Sequence, residues 1–298
     1  MSIITPKDST EAGPRVVATG LGFTEGPLWT ASDRLWVTSV SRGLIYEVSP
    51  NGHAESVAEP GGNPTGLCQH SNGTVWIAQG GKHIRTRSAR TAEPSLQYVR
   101  DGVVHDATSS GLDTPSDCVV GPEGLIWLTD PRGEAMSSDG PPGAVRTFDP
   151  QTGELVTRVR DIAYPNGLVF SPDASVLYVA ETRTGRVLRF SCQNGSIAFD
   201  AVFTQLADGH PDGLAVDRAG NVYVAGADSH AVHVFDPDGV EMETIALDSR
   251  SFPTNVCFGG DDLRTLFVTD PAGGRVWAIP CLLSGPIPAW PSKQVSRS

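Results

Sequence analysis

Glu25, Asn166 and Asp212 offer oxygen ligands, and each stands at the same place in a repeated opening. The openings are Thr24-Glu25-Gly26-Pro27-Leu28, Asn63-Pro64-Thr65-Gly66-Leu67, Thr114-Pro115-Ser116-Asp117-Cys118, Tyr164-Pro165-Asn166-Gly167-Leu168, His210-Pro211-Asp212-Gly213-Leu214 and Phe252-Pro253-Thr254-Asn255-Val256. Aligned, they bring Glu25, Thr65, Ser116, Asn166, Asp212 and Thr254 into register, two carboxylates and an amide among three hydroxyls. Six such units about an axis would gather these side chains into one polar ring. The chain has no Gly-x-Ser-x-Gly elbow and no Gly-x-x-x-x-Gly-Lys loop, so the reacting group is expected to be water rather than a side-chain nucleophile.

The elements that must position this ring are short strands. Successive aligned residues lie 40, 51, 50, 46 and 42 positions apart, a period that marks the four-stranded blade of a β-propeller. The first unit shows the pattern in full. Gly26 to Thr30, Arg34 to Val40 and Leu44 to Val48 are apolar-rich runs, separated by turns at Ala31-Ser32-Asp33 and Ser41-Arg42-Gly43, as strands and hairpins require. The last unit supplies only three runs, whereas Arg15 to Leu21 is a β-like run with no partner of its own. The expected fold is therefore an all-β, six-bladed β-propeller whose last blade is closed by an N-terminal strand, which leaves no blade short of an outer strand. Residues 1–14 read as a leader, 15–281 as the propeller and 282–298 as a tail rich in Pro and Ser. Extra length at Gly81 to Ser88, Asp101 to Asp113 and Arg132 to Pro142 is assigned to rim loops, either walls of a substrate pocket or plain surface decoration.

The formal charge of -12 argues against nucleic acid or an anionic membrane as partner, since both require clustered Lys and Arg. Five widely spaced cysteines without a Cys-x-x-Cys pair read as reduced, and Cys68, Cys118 and Cys257 as buried hydrophobes. No segment has the apolar length of a signal peptide core or a membrane span. A cytoplasmic protein acting on a small molecule is the expectation.

Taken together, the Glu-Gly-Pro, Pro-Asn-Gly-Leu and Pro-Asp-Gly-Leu openings and the step Thr129-Asp130-Pro131 resemble the family of senescence marker protein 30, regucalcin and the gluconolactonases. The resemblance runs from about Gly20 to Ile279. It implies a six-bladed propeller with one divalent cation in the central channel, and hydrolysis of lactones. Carried over residue by residue, it assigns the cation to Glu25, Asn166 and Asp212. Two carboxylates and an amide oxygen suit a hard cation, Ca²⁺ first, with Mg²⁺, Mn²⁺ or Zn²⁺ as alternatives. The cation would polarise the lactone carbonyl and activate water. The resemblance makes Asp212 the general base as well, with cation-activated water itself as the alternative.

The third unit departs from the family. Where many relatives read Asn-Ser-Pro-Asn-Asp, this chain reads Asp113-Thr114-Pro115-Ser116-Asp117, so the family's substrate contacts fall on Thr114 and Ser116. A hydroxyl cannot reproduce the two-ended pairing of an amide or the fork of an arginine. Asp117 matches the family and either turns toward the ring or ties down its own turn. His105 and His210 are further candidates for substrate contact. Another metal-assisted hydrolase, lyase or isomerase, and a non-catalytic propeller with a structural cation, are the alternatives to a lactonase. The Trp residues of the blade strands read as packing between sheets.

Overall fold

A computed structural model describes residues 3, 13–81, 86–108, 110–133, 137, 139–193 and 196–286. Most of the leader, the tail beyond 286 and parts of the insertions at 81–88 and 132–142 lie outside the described residues. Among the described residues, twenty-four strands form six four-stranded antiparallel sheets. The first strands of the six blades are Thr24–Trp29, Pro64–Gln69, Cys118–Val120, Pro165–Phe170, His210–Val216 and Asn255–Gly259. In blades one to five the four strands follow one another in sequence. The sixth takes its outer strand, Arg15–Ala18, from the other end of the chain, with Val16 opposite Trp277. The six-bladed propeller with N-terminal closure is thus the observed fold.

The core lies between neighbouring blades. Trp29 of blade one stacks on Phe267 of blade six at 5.7 Å, Trp76 packs on Phe148 of blade three at 5.6 Å, and Trp127 meets Phe170 of blade four edge-on at 5.4 Å. These tryptophans are inter-sheet packing, as the sequence suggested. All five cysteines are free thiols, with Cys68 and Cys118 buried in adjacent first strands. Helix among the described residues amounts to two three-residue 3-10 turns, Pro122–Gly124 and Thr182–Thr184, and none is long and apolar enough to cross a membrane.

Two expectations need correction. The stretch from Asp101 to Asp113 is not chiefly a rim loop, because Val103–Thr108 pairs with Ser95–Arg100 as the outer strand of blade two. Part of the leader is also integral to the fold. Ile3 is buried among residues of blades five and six, its N–H donating to Glu243 Oε2 at 2.6 Å and its carbonyl accepting from Leu282 at 2.8 Å.

Candidate functional site

The ring positions sit where the chain enters each first strand, so what holds that entry positions the site. In four blades this is the side chain that ends the second strand. Gln79 Oε1 accepts the N–H of Asn63 at 2.7 Å, and Glu181 Oε1 that of Ala163 at 3.0 Å. Asp130 Oδ1 accepts both Asp113 and Thr114, at 2.9 and 2.8 Å, and Asp270 Oδ1 accepts Phe252 at 3.0 Å. The Asp of Thr129-Asp130-Pro131 is thus a positioning group. Buried Asp130 also pairs with Arg146 at 2.8 Å. Asp130→Ala would leave two N–H groups and a largely buried guanidinium unpaired, and is expected to cost about 3–5 kcal/mol in chemical denaturation. A loss under ~1 kcal/mol would show that the clamp does not hold the entry.

Glu25, Thr65, Ser116, Asn166, Asp212 and Thr254 all lie at the start of, or directly before, the first strands. The hydroxyls among them are engaged. Thr65 Oγ1 donates to the carbonyl of Ala78 at 3.0 Å, and Thr254 Oγ1 to that of Thr24 at 3.0 Å. Ser116 Oγ donates to Asn166 Oδ1 at 2.8 Å. One residue further on, four units carry Gly, and the third and sixth carry Asp117 and Asn255. These two fill the channel. Asn255 Nδ2 reaches Glu25 Oε2 at 3.2 Å and Asp117 Oδ2 at 3.3 Å, bridging two carboxylates. Gly66 and Gly213 make room for them, since a Cβ on either would overlap Asp117 Oδ1 or Asn255 Oδ1. On the far side of this plug, a cavity of about 340 Å³ opens at the opposite end of the channel, lined by apolar residues such as Leu28, Leu67, Leu168 and Leu214.

Burial pushes the Glu25 carboxyl up to about 7, against the N–H of Gly26 and the amide of Asn255, which favour its charged form. Asp117 is pushed up to about 8, first by burial and then by the charge of Glu25. Asp212 is held well above the ordinary carboxylate range by its enclosed setting and by Glu25 and Asp117. Among the described residues no Lys, Arg or His pairs with any of the three. No three His, Cys, Asp or Glu of the described residues form a cation cage unaided. The donor set includes an oxygen that such a count omits, the amide of Asn166. Unpaired buried carboxylates are costly, so the imbalance is one that a cation would relieve.

The sequence-derived candidates separate clearly. Glu25, Asn166, Asp212, Ser116 and Asp117 share the axial site; Asp117 does turn toward it, and it also caps its own turn by accepting the N–H of Cys118 at 2.8 Å. Thr114 lies two residues before Ser116, with its N–H held by Asp130. His210 opens the first strand of blade five and faces Asp228 at 3.3 Å, half-exposed. His105 is not at the site, because it lies on the outer strand of blade two, stacked on Tyr98 at 4.9 Å. Asn255 and the clamp residues escaped the sequence reading. Their signal was there, in the position after the ring residue and in the residue ending each second strand.

Comparison with known proteins agrees with this fold. Residues 23–271 match the family model described as SMP-30/Gluconolactonase/LRE-like region. A 6-deoxy-6-sulfogluconolactonase of Pseudomonas putida is 37% identical over 259 residues, covering 84% of each chain. A gluconolactonase of Zymomonas mobilis is 25% identical over 289 residues, covering 85% of this chain and 78% of that one. Among solved structures, the calcium-binding protein regucalcin from Agrobacterium tumefaciens superposes with a TM-score of 0.76 at 21% identity, covering 94% of this chain and 97% of that one, a likeness of fold. With a match spanning all six openings and the site they build, this chain belongs to the SMP-30/gluconolactonase/LRE-like family.

Proposed function

We propose that this protein hydrolyses a lactone with the help of one divalent cation held by Glu25, Asn166 and Asp212. The observation that carries the reading is the axial set itself, buried acidic groups with no basic partner among the described residues. The family match and the relatives named as lactonases support the reaction class. The relative acting on a sulfogluconolactone points to a sugar-derived ring.

A bound divalent cation would supply Lewis-acid polarisation of the ester carbonyl and make a nearby water more acidic. The chain's residues do the rest. Glu25 is fixed from below by the Asn255 amide and the Gly26 N–H. Ser116 orients Asn166 by donating to its Oδ1, which turns the amide's acceptor to a defined direction. Asp212 is the ring carboxylate without a hydrogen bond to any described residue, and in this reading it takes the proton of the attacking water.

The test is base uptake during hydrolysis of five- and six-membered lactones by chelator-stripped protein, with Ca²⁺, Mg²⁺, Mn²⁺ or Zn²⁺ restored singly. Turnover that appears only with a restored cation is the expected result. Equal turnover by stripped protein would remove the cation from the mechanism, and background rates on every lactone with cation bound would end the lactonase reading.

A further inference from the structure

Tyr164 stands two residues before Asn166 with φ +62°, a left-handed backbone that bulky side chains adopt only when surroundings impose it, and that clusters at functional sites. Here the surroundings are explicit. Its carbonyl accepts the N–H of Thr182 at 3.1 Å, and its ring lies 5.3 Å beneath the Arg183 guanidinium. Arg183 is itself anchored on the loop of blade three, by Nη2 to the carbonyl of Arg132 at 2.6 Å and by Nη1 to those of Gly140 and Pro141, both at 2.9 Å. Loop, guanidinium and phenol form one stack at the junction of blades three and four, on the ring side of the channel.

The phenol is largely enclosed, and it stands in the field of Asp212 and Glu25. A phenol keeps its proton throughout the neutral range and is a hydrogen-bond donor there. Its hydroxyl makes no hydrogen bond to any described residue. The hydroxyls of Thr65, Ser116 and Thr254 are all spent within the ring. Tyr164 adds to this end of the channel a hydroxyl donor that is preorganised and unspent.

Resting on the lactonase reading, we propose that Tyr164, braced by Arg183, is a specificity-determining residue that donates a hydrogen bond to a hydroxyl of the lactone, which makes the substrate class a hydroxylated lactone. A site built to pair with a substrate hydroxyl rejects the analogue that lacks it, because the donor is then left without a partner. The backbone strain at Tyr164 fits this use, since it fixes where the phenol points.

The experiment compares wild type with Tyr164→Phe, which keeps the ring and its stack on Arg183, using glucono-δ-lactone and the hydroxyl-free δ-valerolactone in the same preparation. The ratio of kcat/KM for the two lactones cancels any difference in folded fraction. The ratio is expected to fall by about 3- to 10-fold in Tyr164→Phe, mostly through KM for the hydroxylated lactone, the size of one hydrogen bond. An unchanged ratio, or a wild type that does not distinguish the two lactones, overturns the proposal while leaving the lactonase reading standing. Absence of turnover by wild type on both, with cation bound, instead overturns the lactonase reading and this proposal with it.

Discussion

Asp212→Ala is expected to lower kcat/KM on a lactone by more than about 100-fold and to abolish the response to added cation. Loss of a group that merely orients a metal ligand costs about 10- to 100-fold, whereas Asp212 is proposed both to hold the cation and to accept the proton. Its carboxylate is flanked by two other acidic groups and no basic one, so its removal strips the ring of charge rather than exposing a cationic partner. The fold should survive the change. Asp212 makes no side-chain hydrogen bond to any described residue, and its backbone carbonyl, which faces Gly167, is kept by the substitution. Melting temperature in the absence of cation should therefore stay level or rise. A variant that keeps its cation affinity and loses only kcat would make Asp212 a base alone; one that keeps both would remove it from the site.

The second large effect is a pH-dependent stability that the cation reverses. Glu25 and Asp117 bind protons more tightly in the folded chain, at about 7 and about 8, than at their ordinary values of 4.5 and 3.8. Below pH ~4 both folded and unfolded chains are protonated at these groups, and neither group costs stability. Between pH ~4 and ~8 the unfolded chain releases its protons first, so stability of the cation-free protein falls as pH rises through this window. Above pH ~8 the loss is complete. A cation replaces the protons and competes with them, so its stabilisation grows with pH. At a concentration 100 times Kd it adds about 2.7 kcal/mol, or about 4 °C in Tm for a chain of this size. Melting curves at pH 5 and pH 8.5, with and without cation, test this directly. A cation-induced shift as large at pH 5 as at pH 8.5 would show that these carboxyls are not where it binds.

The placement of Glu25, Asn166 and Asp212 was legible because a propeller converts sequence register into position about an axis. Once the six openings are aligned, residues 40 to 51 positions apart become neighbours, with no knowledge of any side-chain contact. The closing strand was legible for a similar reason, as a three-run last unit left one place for Arg15–Ala18. His105 shows where such reasoning stops. Extra length was read as loop, whereas Val103–Thr108, without a clear apolar alternation of its own, finds its partner in Ser95–Arg100.

By itself, then, the sequence determined the number of blades, their closure and the register of the six blade openings, because repetition and short-range strand patterning are local properties that survive in one dimension. Tertiary structure alone decided how those residues are used. The Asn255 bridge joins residues 230 and 138 positions away, and Arg183 ties a loop some 40 to 50 residues upstream to the ring of Tyr164. The proton affinities of Glu25, Asp117 and Asp212 arise from desolvation and mutual repulsion, which exist only after the blades have closed around them and excluded water.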